Sequence, residues 1–165
     1  MNRLLERIVV TLTEEFDLMV LPFGSTRFNR ENFNQGVEPD SCFYIANADR
    51  VDMESRDPPE DIPPDLVIEV DITRSSSVRP NIYKSMQVPE IWRYDRQGFT
   101  ILQLQNGEYV ESEYSLAFDT VSSQIIAEFV EWGTRSRNQN AIVKALRDRI
   151  RSAPSSHANE RLCLM

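Results

Sequence analysis

Three carboxylates in this 165-residue chain stand where they could share a task. Asp40 follows Pro39 at the entrance of the segment Ser41-Cys42-Phe43-Tyr44-Ile45, and proline suits a strand entrance. Glu69 and Asp71 lie two apart in the run Asp65-Leu66-Val67-Ile68-Glu69-Val70-Asp71. The β-branched Val67, Ile68 and Val70, with Pro63-Pro64 before them, read as a strand. Side chains alternate on a strand. Asp65, Val67, Glu69 and Asp71 therefore share one face, and Leu66, Ile68, Val70 and Ile72 form the core face. If the two strands are neighbours, Asp40, Glu69 and Asp71 converge. Carboxylates that close repel, unless a cation sits among them or a pKa rises. The hard cations Mg²⁺ and Mn²⁺ select oxygen ligands, and such a site can polarise a phosphodiester and activate water. The central strand alone leaves a second reading equally open, an edge strand whose acidic face is simply solvated.

Composition narrows the classes. The chain is 41% hydrophobic and 27% charged, ordinary for one soluble globular domain of this length. No apolar run approaches the ~20 residues of a membrane span, and the N-terminus is not a signal peptide. No membrane partner and a cytoplasmic location are expected. Cys42 and Cys163 make no disulfide framework or metal spacing. The single histidine, His157, lies in a polar tail, which argues against a Ser-His triad or a histidine-rich metal site. The net charge of -8 does not suit a constitutive nucleic-acid binder. It remains compatible with an enzyme that meets phosphate through bound divalent cations.

The elements that must position the acids can be read in order. Leu5, Ile8, Val9, Leu12 and Phe16 have helical spacing over residues 3–17, with Glu14 and Glu15 at the less favourable end of the helix dipole. Residues 18–23 read as a short strand. Residues 46–64, rich in acids and proline, read as a surface loop. After the central strand, hydroxyls at 73–77 can cap a helix holding Val78, Ile82, Tyr83 and Met86, with Pro80 in its first turn. Glu90-Ile91-Trp92-Arg93-Tyr94-Asp95 is a strand. Residues 99–104 and 108–113 form a hairpin around Asn106-Gly107. Ser122 or Ser123 caps a helix through Phe129 and Trp132, and residues 138–151 form another. The expectation is one domain over 1–151 with a polar tail at 152–165, of α/β or α+β class with a mixed sheet. Trp92, Tyr94, Phe99 and Tyr109 read as cross-strand packing rather than base stacking. Glu38, on the face of Asp40, reads equally as a supporting residue or a surface one.

Four stretches carry a family resemblance: Gly36-Val37-Glu38-Pro39-Asp40; the central run continued through Ile72-Thr73; Ile82-Tyr83; and Val88-Pro89-Glu90-Ile91-Trp92-Arg93-Tyr94-Asp95. Over roughly residues 3–151 the chain resembles the Uma family of candidate restriction endonucleases, within the PD-(D/E)XK nuclease superfamily. That resemblance implies a restriction-endonuclease-like mixed sheet flanked by helices, and Mg²⁺- or Mn²⁺-dependent DNA cleavage. It implies Asp40 and Glu69 as metal ligands, with DNA as partner and a homodimer to cut two strands. The superfamily lysine two residues after the second acid is replaced by Asp71, which could add a ligand but not a positive charge. Arg79 and Lys84 of the following helix are the candidate cations. The family's usual N-terminal segment before the first helix is not seen, so either the true start lies upstream or the chain is a shortened member. The alternative is a catalytically degenerate nuclease fold acting as a binding or assembly module.

Overall fold

The central run forms β3, Leu66–Asp71, the third strand of a single six-stranded sheet. The computed structural model describes residues 1–25, 38–52, 59, 61–71 and 78–152. The strands lie in chain order: β1 (Leu21–Gly24), β2 (Ser41–Tyr44), β3, β4 (Glu90–Asp95), β5 (Gly98–Gln105) and β6 (Glu108–Ser112). All neighbours are antiparallel except β3 and β4, which run parallel. A parallel pair needs a crossover, and α2 (Val78–Ser85) lies within it. Three further helices, α1 (Asn2–Glu15), α3 (Ser123–Arg135) and α4 (Gln139–Ser152), complete an α+β fold with a mixed sheet.

The two faces of the sheet are covered by different elements. Leu66, Ile68, Trp92 and Ile101 pack in the main core with Leu5, Ile8 and Leu12 of α1, Ile126 and Phe129 of α3, and Ile142 and Leu146 of α4. The opposite residues Cys42, Val67, Ile91 and Leu102 form a second cluster with Tyr83 and Met86 of α2. Leu66 to Glu69 are all buried. β3 is therefore an inner strand packed on both faces, and the edge-strand reading falls.

Local chemistry explains most boundaries. The Asn106-Gly107 turn has positive φ at both residues, 52° and 80°, as a two-residue type I′ hairpin requires. Ser122 caps α3, its hydroxyl accepting from the Ile125 N–H at 3.3 Å. Glu14 and Glu15 are offset by α4: Arg151 bonds Glu15 at 2.7 and 2.9 Å, and Arg147 reaches both acids. These contacts, Arg151 first, hold the Glu15 carboxyl below its ordinary value. Trp92 stacks edge-on against Phe99, with ring centroids 5.5 Å apart, which is the cross-strand packing expected of these aromatics.

The segment 46–64 is not the plain surface loop expected. Its described part forms a short 3₁₀ turn at Ala48–Arg50, and Ala48, Val51 and Ile62 are buried with Tyr44. Asp65 organises this region by accepting from the Ile45 and Asn47 N–H groups at 2.7 and 2.9 Å. The proposed caps at 73–77, and the tail carrying His157 and Cys163, lie outside the described residues.

Candidate active site

The register of β2 on β3 pairs Ser41 with Ile68 and Cys42 with Val67. One step further along this antiparallel ladder, Asp40 stands opposite Glu69. Alternation puts both on the α2 face, with Cys42 and Val67. Asp40 Oδ2 accepts the Val70 N–H at 2.6 Å, so its carboxylate continues the ladder where the β2 backbone pairing stops. Oδ1 makes no hydrogen bond among the described residues. The Asp40 backbone is tied to α1 on the other face of the sheet. Asn2 Nδ2 donates to the Asp40 carbonyl at 3.0 Å and to Ser41 Oγ at 3.1 Å, and the Ser41 hydroxyl donates to the Glu6 carboxylate.

Glu69 is 7% exposed. Its Oε1 accepts the hydroxyl of Tyr83, a residue 1% exposed on α2. The two acids are thus held from opposite sides of the sheet, Asp40 through α1 and Glu69 through α2. Oxygen donors facing one another across adjacent strands suit a hard cation. Mg²⁺ is commonly held by one or two carboxylates, with waters and substrate phosphate oxygens completing the shell, so the pair fits such an ion.

The other expected residues are placed as follows. Asp71 is half-buried at the end of β3, on the face of Glu69 and opposite Asp95 of β4. Among the described residues no three His, Cys, Asp or Glu side chains gather closely enough to hold a metal ion, so Asp40, Glu69 and Asp71 do not form one compact ligand set. Glu38 is exposed. The backbone of Arg79 lies in the first turn of α2, and its side chain is outside the described residues. Lys84 pairs with Glu108 of β6 at 2.6 Å. The register puts Thr100 of β5 level with Glu69 through Arg93 of β4, and Glu108 stands opposite Gln105, five residues along β5 from Thr100, a separation of about 17 Å. Lys84 therefore sits away from the acids. Cys42, on the acid face, is a free thiol that burial pushes up to about 12, which removes it as a nucleophile at neutral pH.

The family model described as "Putative restriction endonuclease", Uma2, matches residues 2–135. The chain belongs to the Uma2 family. A solved structure described as "a putative nuclease belonging to DUF820 from Anabaena variabilis ATCC 29413" is similar to it at 16% identity and a TM-score of 0.46. That match covers 72% of this chain and 77% of the other. No curated protein matches.

Within this Uma2 chain, sequence reasoning missed four residues around the acids. Tyr83 reads as a core residue of an amphipathic helix, and only the fold reveals that its hydroxyl reaches Glu69. Asn2 and Glu6 lie on the polar side of α1, far in sequence from Asp40, and nothing in their spacing signals the contact. Arg93 reads as one residue of a strand motif. The parallel register places it directly beside Glu69.

Proposed function

We propose that the chain is a Mg²⁺- or Mn²⁺-dependent DNA endonuclease, hydrolysing phosphodiester bonds. The observation that supports this most is the pairing of Asp40 with Glu69 across β2 and β3, in a chain of the Uma2 family. Asp40 and Glu69 hold the cation. A divalent cation bound there provides Lewis-acid polarisation of the phosphate and acidifies water. The protein's part is geometric. Val70 N–H and the Asn2 amide fix Asp40, the Tyr83 hydroxyl fixes Glu69, and the cover of α2 keeps bulk water from the Glu69 side. Cleavage of both strands calls for two such sites, so a homodimer belongs to the proposal.

The test is cleavage of supercoiled and linear DNA with Mg²⁺ or Mn²⁺ by the wild type, Asp40→Ala and Glu69→Ala. Metal-dependent nicking that both substitutions abolish is expected. A wild type that does not cut removes the enzyme reading. The second reading, a binding or assembly module on the same fold, is favoured by Asp71 standing where the superfamily has lysine and by the net charge of -8. It predicts partner or DNA binding that Asp40→Ala leaves unchanged.

A further inference from the structure

Two buried side-chain polar atoms lack a hydrogen-bond partner among the described residues, Arg93 Nε and Thr100 Oγ1. Buried polar groups are nearly always satisfied, so each such atom asks what it awaits. These two are cross-strand neighbours, since Arg93 of β4 pairs with Thr100 of β5. Arg93 also pairs with Glu69 in the parallel register. The α2 face thus carries a continuous row across four strands: Asp40, Glu69, Arg93, Thr100. Its first half offers carboxylate oxygens and its second half offers N–H and O–H donors.

The guanidinium is loosely engaged. Its Nε lies 3.3 Å from Asp95 Oδ2 without making a hydrogen bond, and an Nη lies 4.0 Å from Glu111, which is 72% exposed. Ion pairs this open are worth little, so the singly charged, two-oxygen edge of a phosphodiester can compete for the fork. Arginine suits that task, with a fixed charge and several donors in one plane.

We propose that Arg93 and Thr100 form the phosphate-binding half of this site, receiving the anionic oxygens of a phosphodiester beside the cation held by Asp40 and Glu69. This supplies the positive charge that Asp71 cannot. The inference rests on the reading of Asp40 and Glu69 as cation ligands.

Two probes separate this inference from that reading. The first is inorganic phosphate, followed by ³¹P NMR line broadening with the full chain in Mg²⁺. The second is a labelled duplex DNA, followed by anisotropy over a series of NaCl concentrations. Arg93→Gln should abolish phosphate broadening. It should also weaken duplex binding about tenfold and lower the salt slope by about one. Arg93→Lys should keep the slope, and Thr100→Val should weaken binding about fivefold with the slope unchanged. Mn²⁺ affinity by calorimetry should not fall in any of the three, because the carboxylates are untouched and loss of the Arg93 charge can only favour a bound cation. Wild-type phosphate binding lost in Arg93→Gln supports the inference even if no DNA is cut, in which case only the endonuclease reading falls. Phosphate broadening absent from the wild type, or equal in Arg93→Gln, overturns it. So does a melting temperature lowered in Arg93→Gln with phosphate binding and salt slope unchanged, since that is a purely structural arginine.

Discussion

Replacing Tyr83 with phenylalanine removes one hydroxyl and leaves the ring among Val67, Met86, Val88, Ile91 and Leu102. The carboxylate it serves is 7% exposed, so water does not freely take the place of the lost donor. A hydrogen bond to a charged group contributes about 1.5–3 kcal/mol. Glu69 has further interactions, so the lower half of that range is expected. In a domain of this size each kcal/mol moves Tm by about 2–4 °C. A loss of about 3–8 °C should therefore appear in a metal-free melt. The same hydroxyl orients a proposed ligand. Partners that orient metal ligands typically change metal affinity by about 10–100-fold when removed. At 1.4 kcal/mol per decade the lower end of that effect matches the energy of the bond. Titration of wild type and Tyr83→Phe with Mn²⁺ in a calorimeter reads it directly. Wild type binding Mn²⁺ and Tyr83→Phe binding it within twofold would refute the argument that this hydroxyl sets the carboxylate. A metal-free melt unchanged by the substitution would refute the energetic half.

Glu90 is fully buried on the main-core face and accepts from the Trp92 indole N–H at 2.7 Å, the Ser115 hydroxyl at 2.6 Å and the Leu116 N–H. Burial holds its carboxyl above the ordinary value of 4.5, although these donors pull the other way. For an acid with a raised folded pKa, the fold favours the protonated form. Its contribution is complete below the unfolded pKa and is lost as pH rises through the folded one. Melts from pH 4 to pH 8 should therefore shift in favour of Glu90→Gln relative to wild type as pH rises, and a shift in the opposite direction would mean that the donors outweigh burial. Gly133 of α3 lies under α1: a Cβ there would meet Leu4 Cδ2 at 2.1 Å, and Leu4 is 2% exposed in the core. Gly133→Ala should cost about 1–3 kcal/mol in denaturant unfolding, and a variant as stable as the wild type would show that Leu4 can move aside freely.

The strands and helices were legible because their signals are local. β-branched residues behind Pro63-Pro64, Asn106-Gly107 at a hairpin, and helical spacing in α1, α3 and α4 each need only a few neighbours to decide. The face assignment of β3 also came through, because alternation has a fixed period. What the sequence left open was long-range. Whether Glu69 faced solvent or α2 depended on β3 being the third of six strands. Strand order is set by which apolar faces find cover, and no single segment reports it. The segment 46–64 reads as solvated because its acids outnumber its apolar residues, yet Ala48, Val51 and Ile62 suffice to anchor it beneath Tyr44. Lys84 was equally ambiguous. Its place on α2 is five residues, about 1.4 turns, beyond Arg79, and its ion pair with Glu108 directs it along the sheet rather than across it.

The change of strand direction explains why chemistry can collect on this one face. β2 runs antiparallel to β3, so its entrance, and with it Asp40, lies level with the far half of β3 where Glu69 sits. β4 runs parallel to β3, so Arg93 and Asp95 leave the sheet at the same end as Glu69 and Asp71. An all-antiparallel order would have sent the end of β4 to the opposite rim and left the acids without a cation beside them. The parallel pair requires the crossover that contains α2, and the same helix buries Glu69 and supplies Tyr83. The other face, filled by α1, α3 and α4, is mostly apolar and gathers its polar groups in small closed networks, Glu90 with its donors and Ser41 with Asn2 and Glu6. One topological feature thus sets the row of Asp40, Glu69, Arg93 and Thr100, and a single register slip of β4 against β3 would turn Arg93 to the core face and break it.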